Sequence, residues 1–250
     1  MSTGCLGCKT QPEDSFDFTM AFQPILDASQ EEIYAHEALV RGMNGEPAGK
    51  ILGQVTEQNR YWFDQQCRVK AIELAAQLGL GPKQRLSINF LPNAVYEPAA
   101  CIRMTVETAR KVGLPLDRII FEVTEGEQVV EHDKLVAIIR AYKEFGLLTA
   151  IDDFGAGYSG LNLLADFQPD IIKLDMALTR NINSDRVRRS IVAGILTVCR
   201  ELEIMVIAEG IETPEEYATL REMGVRHFQG YLFARPVFRD FAREIAFPPV

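Results

Sequence analysis

A chain of 250 residues is the usual size for one (β/α)8 barrel, large for a single sandwich, and long enough for two small domains. Hydrophobic residues make up 47% and charged ones 24%, a soluble globular balance, and the formal net charge is -9. That acidity argues against a nucleic-acid polymer as partner, because such binding needs Lys and Arg to neutralise phosphates. A small anion would be repelled as well, unless bound metal supplied positive charge locally.

The first residues, "MSTGCLGCKT", carry neither a cationic nor an apolar signal region, and residues 1–17 read as a polar, flexible tail ahead of one domain over 18–250. The longest apolar runs, such as Ile191 to Cys199, are far too short to cross a bilayer. The expectation is a cytoplasmic protein with no membrane partner. Five cysteines, Cys5, Cys8, Cys67, Cys101 and Cys199, are odd in number and scattered, unlike a disulfide framework. Cys5-x-x-Cys8 is half of a zinc knuckle with no second pair near it, and is expected to be inert. His36, His132 and His227 have no ligand-like spacing.

Beyond the tail, short runs rich in β-branched and aromatic residues alternate with longer amphipathic stretches. The strand candidates, in order, are "FTMAFQPILD", "IYAHEALVR", "RLSINFL", "IIFEVTE", "LLTAIDDF", "IIKLD", "IMVIAEGI" and "RHFQGYLF". Most are continuous apolar runs, as expected of strands buried on both faces. In "HDKLVAIIRAYKEFG", Leu135, Ile138, Ile139, Tyr142 and Phe145 share a helical face and Gly146 supplies the stop. In "ETPEEYATLREMG", Thr213 is a candidate N-cap, Pro214 the first helical residue, Glu216 its capping-box partner, and Gly224 closes the helix. Strand, helix, strand in repetition predicts a closed parallel barrel. Only "ASQEE" separates the first two strands, too short for a crossover helix, so those two are expected to be antiparallel.

Polar residues stand at or near the C-terminal ends of most of these strands: Asn89, Glu122, Asp152 with Asp153, Lys173 with Asp175, Glu209 and Gln229, with Glu37 placed similarly in the second. In a (β/α)8 barrel those ends form the catalytic face. Four or five buried carboxylates need cations between them, and Lys173 alone is insufficient. An all-oxygen set with one amide suits Mg²⁺ or Mn²⁺. Alternation along a strand sends Glu122 and Glu125 to opposite faces, so only one can bind metal. Asp152 and Asp153 should diverge too, unless the chain curls at the strand end. Taken singly, each acid reads as a salt-bridged or N-capping residue; together they do not. "GAGYSG", Gly155 to Gly160, also fits the dinucleotide pattern G-x-G-x-x-G, with Asp175 about twenty residues on. Two aspartates just before it would repel a pyrophosphate, and it follows the fifth strand, so it reads as a flexible loop over the site, with nicotinamide binding as a rival.

Six ordered motifs, "EALVR", "FEVTE", "IDDFGAGYS", "IIKLD", "AEGIET" and "FQGYLFARP", resemble the EAL domain, the phosphodiesterase acting on cyclic di-GMP, over about Phe18 to Phe238. The resemblance implies a (β/α)8 barrel with an antiparallel first strand. It implies that Glu37, Asn89, Glu122 and Asp152 hold one Mg²⁺ or Mn²⁺, with Asp152 bridging to a second held also by Asp153 and Glu209. Lys173, acting with Glu37 and Glu209, would orient or deprotonate the attacking water. Glu212 and Gln229 would complete the polar shell, Glu125 would anchor the loop after Asp153, and Arg41 would pair with a substrate phosphate. Gln23, Leu39, Asp64 and Pro236 stand where the family contacts guanine or ribose. A homodimer is implied through the loop after Asp153 and the helix that follows. Departures are Gly42 where an aromatic residue is frequent, "NFLP" for a more usual Asn-x-Ser, and "GAGYSG" where Thr and Ser are commoner; none removes a ligand. Hydrolysis of cyclic di-GMP to linear pGpG is the first reading, and a receptor that binds without cutting is the second. A broader Mg²⁺ phosphodiesterase lies between them.

Overall fold

The computed structural model of the chain describes residues 12–95, 97–124, 132–157, 164–243, 245, 247 and 248. Strands β1 (Thr19–Asp27) and β2 (Glu32–Arg41) form the expected antiparallel hairpin, with Gln23 opposite Glu37. Asp27 closes the turn, its carboxylate accepting from the Ser29 amide at 2.8 Å and hydroxyl at 2.6 Å. Parallel neighbours then follow in chain order: β3 (Arg85–Asn89), β4 (Ile119–Thr124), β5 (Leu148–Phe154), β6 (Ile171–Leu174), β7 (Met205–Ala208) and β8 (His227–Phe228). β8 returns to β1, antiparallel through Leu26 and Phe228, and closes the barrel. A ninth strand, β9 (Val237–Phe238), was not expected from the sequence and adds to β1 opposite Ala21 and Phe22.

The helices pack outside. Among the described residues they are α1 (Ala48–Leu52), α2 (Arg60–Gln77), α3 (Pro98–Cys101), α4 (Arg103–Val112), α5 (His132–Glu144), α6 (Met176–Thr179), α7 (Arg186–Glu201) and α8 (Pro214–Glu222). α5 buries Leu135, Ile138, Ile139 and Tyr142 of the stripe its spacing predicts, whereas Phe145, expected on the same face, falls just past the helix end and is exposed. α8 starts on the anticipated capping box, the Thr213 hydroxyl accepting from the Glu216 amide at 3.2 Å. Among the described residues no helix is long and apolar enough to cross a membrane. Residues 12–17 lie against α2, where Phe16 meets Trp62 edge-on at 5.8 Å.

Two cores result. The larger lies between strands and helices. The smaller fills the barrel with Ile25, Ala35, Ile120, Ala150, Ile171 and Ile207, all inward-facing. Large aliphatics and alanines alternate there, closing the barrel and forming the floor on which the polar residues stand.

Candidate active site

Each polar side chain stands two residues after a floor residue: Glu37 after Ala35, Glu122 after Ile120, Asp152 after Ala150, Lys173 after Ile171 and Glu209 after Ile207. A period of two puts both members of each pair on the same strand face, so the sheet that makes the floor also aims the acids upward. Asn89 ends β3 level with Glu122, and Gln229 directly follows β8.

Lys173 is the hub. Its ammonium, 1% exposed, lies 2.7 Å from Glu209, 2.9 Å from Glu122, 3.0 Å from Asp152 and 3.5 Å from Glu37. Glu37 is oriented by amides on both oxygens, Asn89 donating to one at 2.9 Å and Gln229 to the other at 2.8 Å. The Ser87 hydroxyl donates to Glu122. Oxygens of Glu37, Glu122 and Asp152 come within 4.8 Å of one another, as do those of Asp152, Asp153 and Glu209, so Asp152 belongs to both sets.

Five carboxylates thus face one ammonium. Burial, and then the neighbouring charges of Glu37 and Asp152, push Glu122 up to about 8 despite Lys173 beside it. Burial also drives Glu209 well above the usual carboxylate range. The four acids around Lys173 hold its ammonium well above the ordinary lysine value although burial opposes them. A charge set of this composition is costly unless further cations enter it. Carboxylate oxygens with one amide are the donors that Mg²⁺ and Mn²⁺ prefer, so the residues fit two divalent ions sharing Asp152.

Of the two courses the sequence leaves open at the end of β5, diverging aspartates or a curl, the structure takes the curl. Asp153 adopts φ +53°, and the β5–β6 register shifts between Ile151 and Phe154. A single left-handed residue, tolerated better by Asp than by most side chains, cancels the alternation and brings both aspartates to one side. Burial and the charges of Asp152 and Asp175 raise Asp153 to about 6.

The chain matches the EAL domain family over residues 12–236. It belongs to that family. The EAL protein of Vibrio cholerae O395, solved with c-di-GMP bound, is 54% identical at a TM-score of 0.87, covering 90% of this chain and 94% of that one. Klebsiella pneumoniae BlrP1, solved with manganese and cyclic di-GMP, is 38% identical at a TM-score of 0.86, covering 91% of this chain and 57% of that one. The blue light- and temperature-regulated antirepressor BluF of Escherichia coli K12 is 36% identical over 215 residues, 86% of this chain and 53% of BluF. This EAL domain therefore spans about half the length of that relative, and less of others that are named cyclic di-GMP phosphodiesterases.

Within the EAL domain the remaining anticipated residues are distributed unevenly. A cavity of about 310 Å³ above Lys173 is lined by Gln23, Leu39, Glu212 and Gln229 as well as by the acids. A second, of about 230 Å³ and mostly apolar, lies beside it between Leu39, Asp64 and Asn89. Asp64 is fully engaged inside the protein: one oxygen accepts from the Leu91 amide at 2.9 Å and the other meets Arg68 at 2.6 Å. Arg41 bonds back to the Val40 carbonyl at 2.7 Å, Glu212 pairs with Arg180 at 2.9 Å, and half-buried Pro236 directly precedes β9. Asp175 is an N-cap, its carboxylate accepting from Ala177 at 2.8 Å. Glu125, part of "GAGYSG" and the Cys5/Cys8 pair lie outside the described residues. Sequence reasoning missed Ser87 and Gly230. Ser87 stands two residues before Asn89 on the same face, a signal available in the sequence. A Cβ on Gly230 would run into the backbone of Ile211, an approach visible only in three dimensions.

Proposed function

We propose that this EAL domain hydrolyses one phosphodiester bond of cyclic di-GMP, releasing linear pGpG. The observation that carries the reading is the complete set at one barrel end: two groups of acidic ligands sharing Asp152, around a buried lysine. Bound there, two Mg²⁺ or Mn²⁺ ions would acidify a shared water and stabilise charge on the phosphoryl and leaving oxygens. Glu37, Asn89, Glu122 and Asp152 hold one, and Asp152, Asp153 and Glu209 the other. Lys173, kept charged by its carboxylates, orients the water as a donor rather than abstracting its proton. The two adjoining cavities, polar over Lys173 and apolar beside Leu39, suit a ligand with a phosphate ring and flat bases. Gln23, Leu39 and Pro236 contact guanine or ribose in this reading, and Arg41 a phosphate, whereas Asp64, held by Arg68 and the Leu91 amide, does not. Glu212 with Gln229 completes the polar wall, and Glu125 anchors the loop after Asp153. We place the protein in the cytoplasm as a homodimer. For the dimer, α7 and its C-cap Leu202 supply an apolar face in Val187, Ile191, Val198 and Leu202, all exposed.

Incubation with cyclic di-GMP and Mg²⁺, followed by chromatography, should yield pGpG, with none in a chelator. BluF, named an antirepressor, favours a second reading in which the domain is a receptor. Stoichiometric binding without cleavage at any Mg²⁺ or Mn²⁺ concentration would decide for the receptor.

A further inference from the structure

Arg68 is the largest fully buried side chain outside the site, 0% exposed on α2 between the outer faces of β3 and β4. Its guanidinium meets Asp64 at 2.6 Å and donates to the Tyr142 hydroxyl at 3.1 Å. Three rings enclose it: Phe121 at 4.8 Å, Phe90 at 5.6 Å and Tyr142 at 5.7 Å. Such a buried ion pair rarely stabilises a fold more than apolar side chains of the same shape. What a planar fork held between an acid, a hydroxyl and aromatic faces does supply is fixed geometry.

The neighbours of this clamp are informative. Phe90 and Leu91 directly follow Asn89, and Phe121 directly precedes Glu122. Alternation along the strands puts Phe121 outward, under Arg68, while Glu122 points inward to Lys173. After Asn89 the chain is pinned at two successive amides. Phe90 donates to the Glu122 carbonyl at 3.0 Å, and Leu91 donates to Asp64 at 2.9 Å. One buried guanidinium therefore contacts, directly or through Asp64, the residues flanking two ligands contributed by different strands.

We propose that Arg68, acting through Asp64, Phe90 and Phe121, is a positioning residue that sets the spacing of Asn89 and Glu122 for divalent metal. This rests on the metal-site reading above, and it places the determinant of metal affinity outside the barrel. The test is a titration of the full chain with Mn²⁺ alone, free Mn²⁺ being read by electron paramagnetic resonance. The double variant Asp64→Leu/Arg68→Met removes both charges together and leaves none stranded. It should melt cooperatively yet hold Mn²⁺ about tenfold more weakly, as when groups orienting a metal ligand are lost. Val192→Ala, a core truncation on α7, should lower the melting temperature without changing Mn²⁺ affinity. Unchanged affinity in the double variant overturns the proposal. Should that variant fail to fold, Tyr142→Phe removes only the hydroxyl gripping Arg68; about threefold weaker Mn²⁺ binding supports the proposal, and wild-type affinity overturns it. Because the readout is metal uptake, a wild-type chain that binds Mn²⁺ but leaves cyclic di-GMP intact would count against the phosphodiesterase reading alone.

Discussion

Asp152 is the residue on which the site turns, because among the described residues it alone belongs to both acidic groups that could hold metal. Asp152→Asn keeps the side-chain volume and removes one charge from each group. Hydrolysis is expected to fall roughly 100-fold or more and Mn²⁺ binding to weaken, with the melt unchanged within a few degrees. Near-wild-type turnover at saturating Mg²⁺ would strike Asp152 from the ligand set. His36 illustrates the opposite kind of residue, a buried group with no part in the chemistry. It stacks on Phe241 at 4.0 Å, and burial lowers it from 6.5 to about 4. A histidine depressed on folding contributes stability above the unfolded value that is lost as pH falls toward the folded one. Between about pH 6.5 and 4 the unfolded chain binds the extra proton, and about 3 kcal/mol drains away. Denaturant melts of His36→Phe across that window should show a shallower fall than the wild type; parallel curves would exclude the residue as a source of acid sensitivity.

The turns at the strand ends decide where the acids meet. β7 and β8 are shorter than their apolar runs suggest, because the chain leaves the sheet at Glu209 and Gln229 to let two loops cross. The Ile211 and Gln229 backbones bond at 3.2 Å, and Gly230 sits against Ile211 with no room for a Cβ. Gly230→Ala is therefore expected to cost about 3 kcal/mol, measurable as a lower denaturation midpoint, and to impair the placement of Gln229 against Glu37. A fully stable variant would mean that this crossing relaxes freely. By contrast α5 and α8 were legible from spacing and caps, since their signals are local. The φ of Asp153 was not: the sequence admits both a straight strand end and a curl, and only the β6 partner chooses.

For the whole molecule, the exposed large apolar side chains among the described residues are mostly scattered, and α7 with its C-cap Leu202 groups four of them, Val187, Ile191, Val198 and Leu202. That helix buries Val192 and Cys199 while Val187 is 67% and Ile191 46% exposed. If two copies pair there, Ile191→Glu puts two carboxylates into an apolar contact without touching the monomer core. Sedimentation should then change from dimer to monomer with the melt retained. A wild-type chain that sediments as a monomer, or a variant that stays paired, would remove α7 from the interface.

The sequence alone determined the parallel barrel, the antiparallel opening hairpin and most of the inward-facing acids. Each depends on chain-local quantities: loop length, apolar runs and a side-chain period of two. It also determined the excess of negative charge, because a single lysine was available to answer five carboxylates. Tertiary structure decided the rest. It put Lys173 at the centre of the acids, turned Asp153 alongside Asp152 and made Asp175 a helix cap. It also committed Asp64 to an arginine behind the barrel wall. Those outcomes depend on distances between residues dozens of positions apart, which are set by strand register and barrel closure rather than by any local preference.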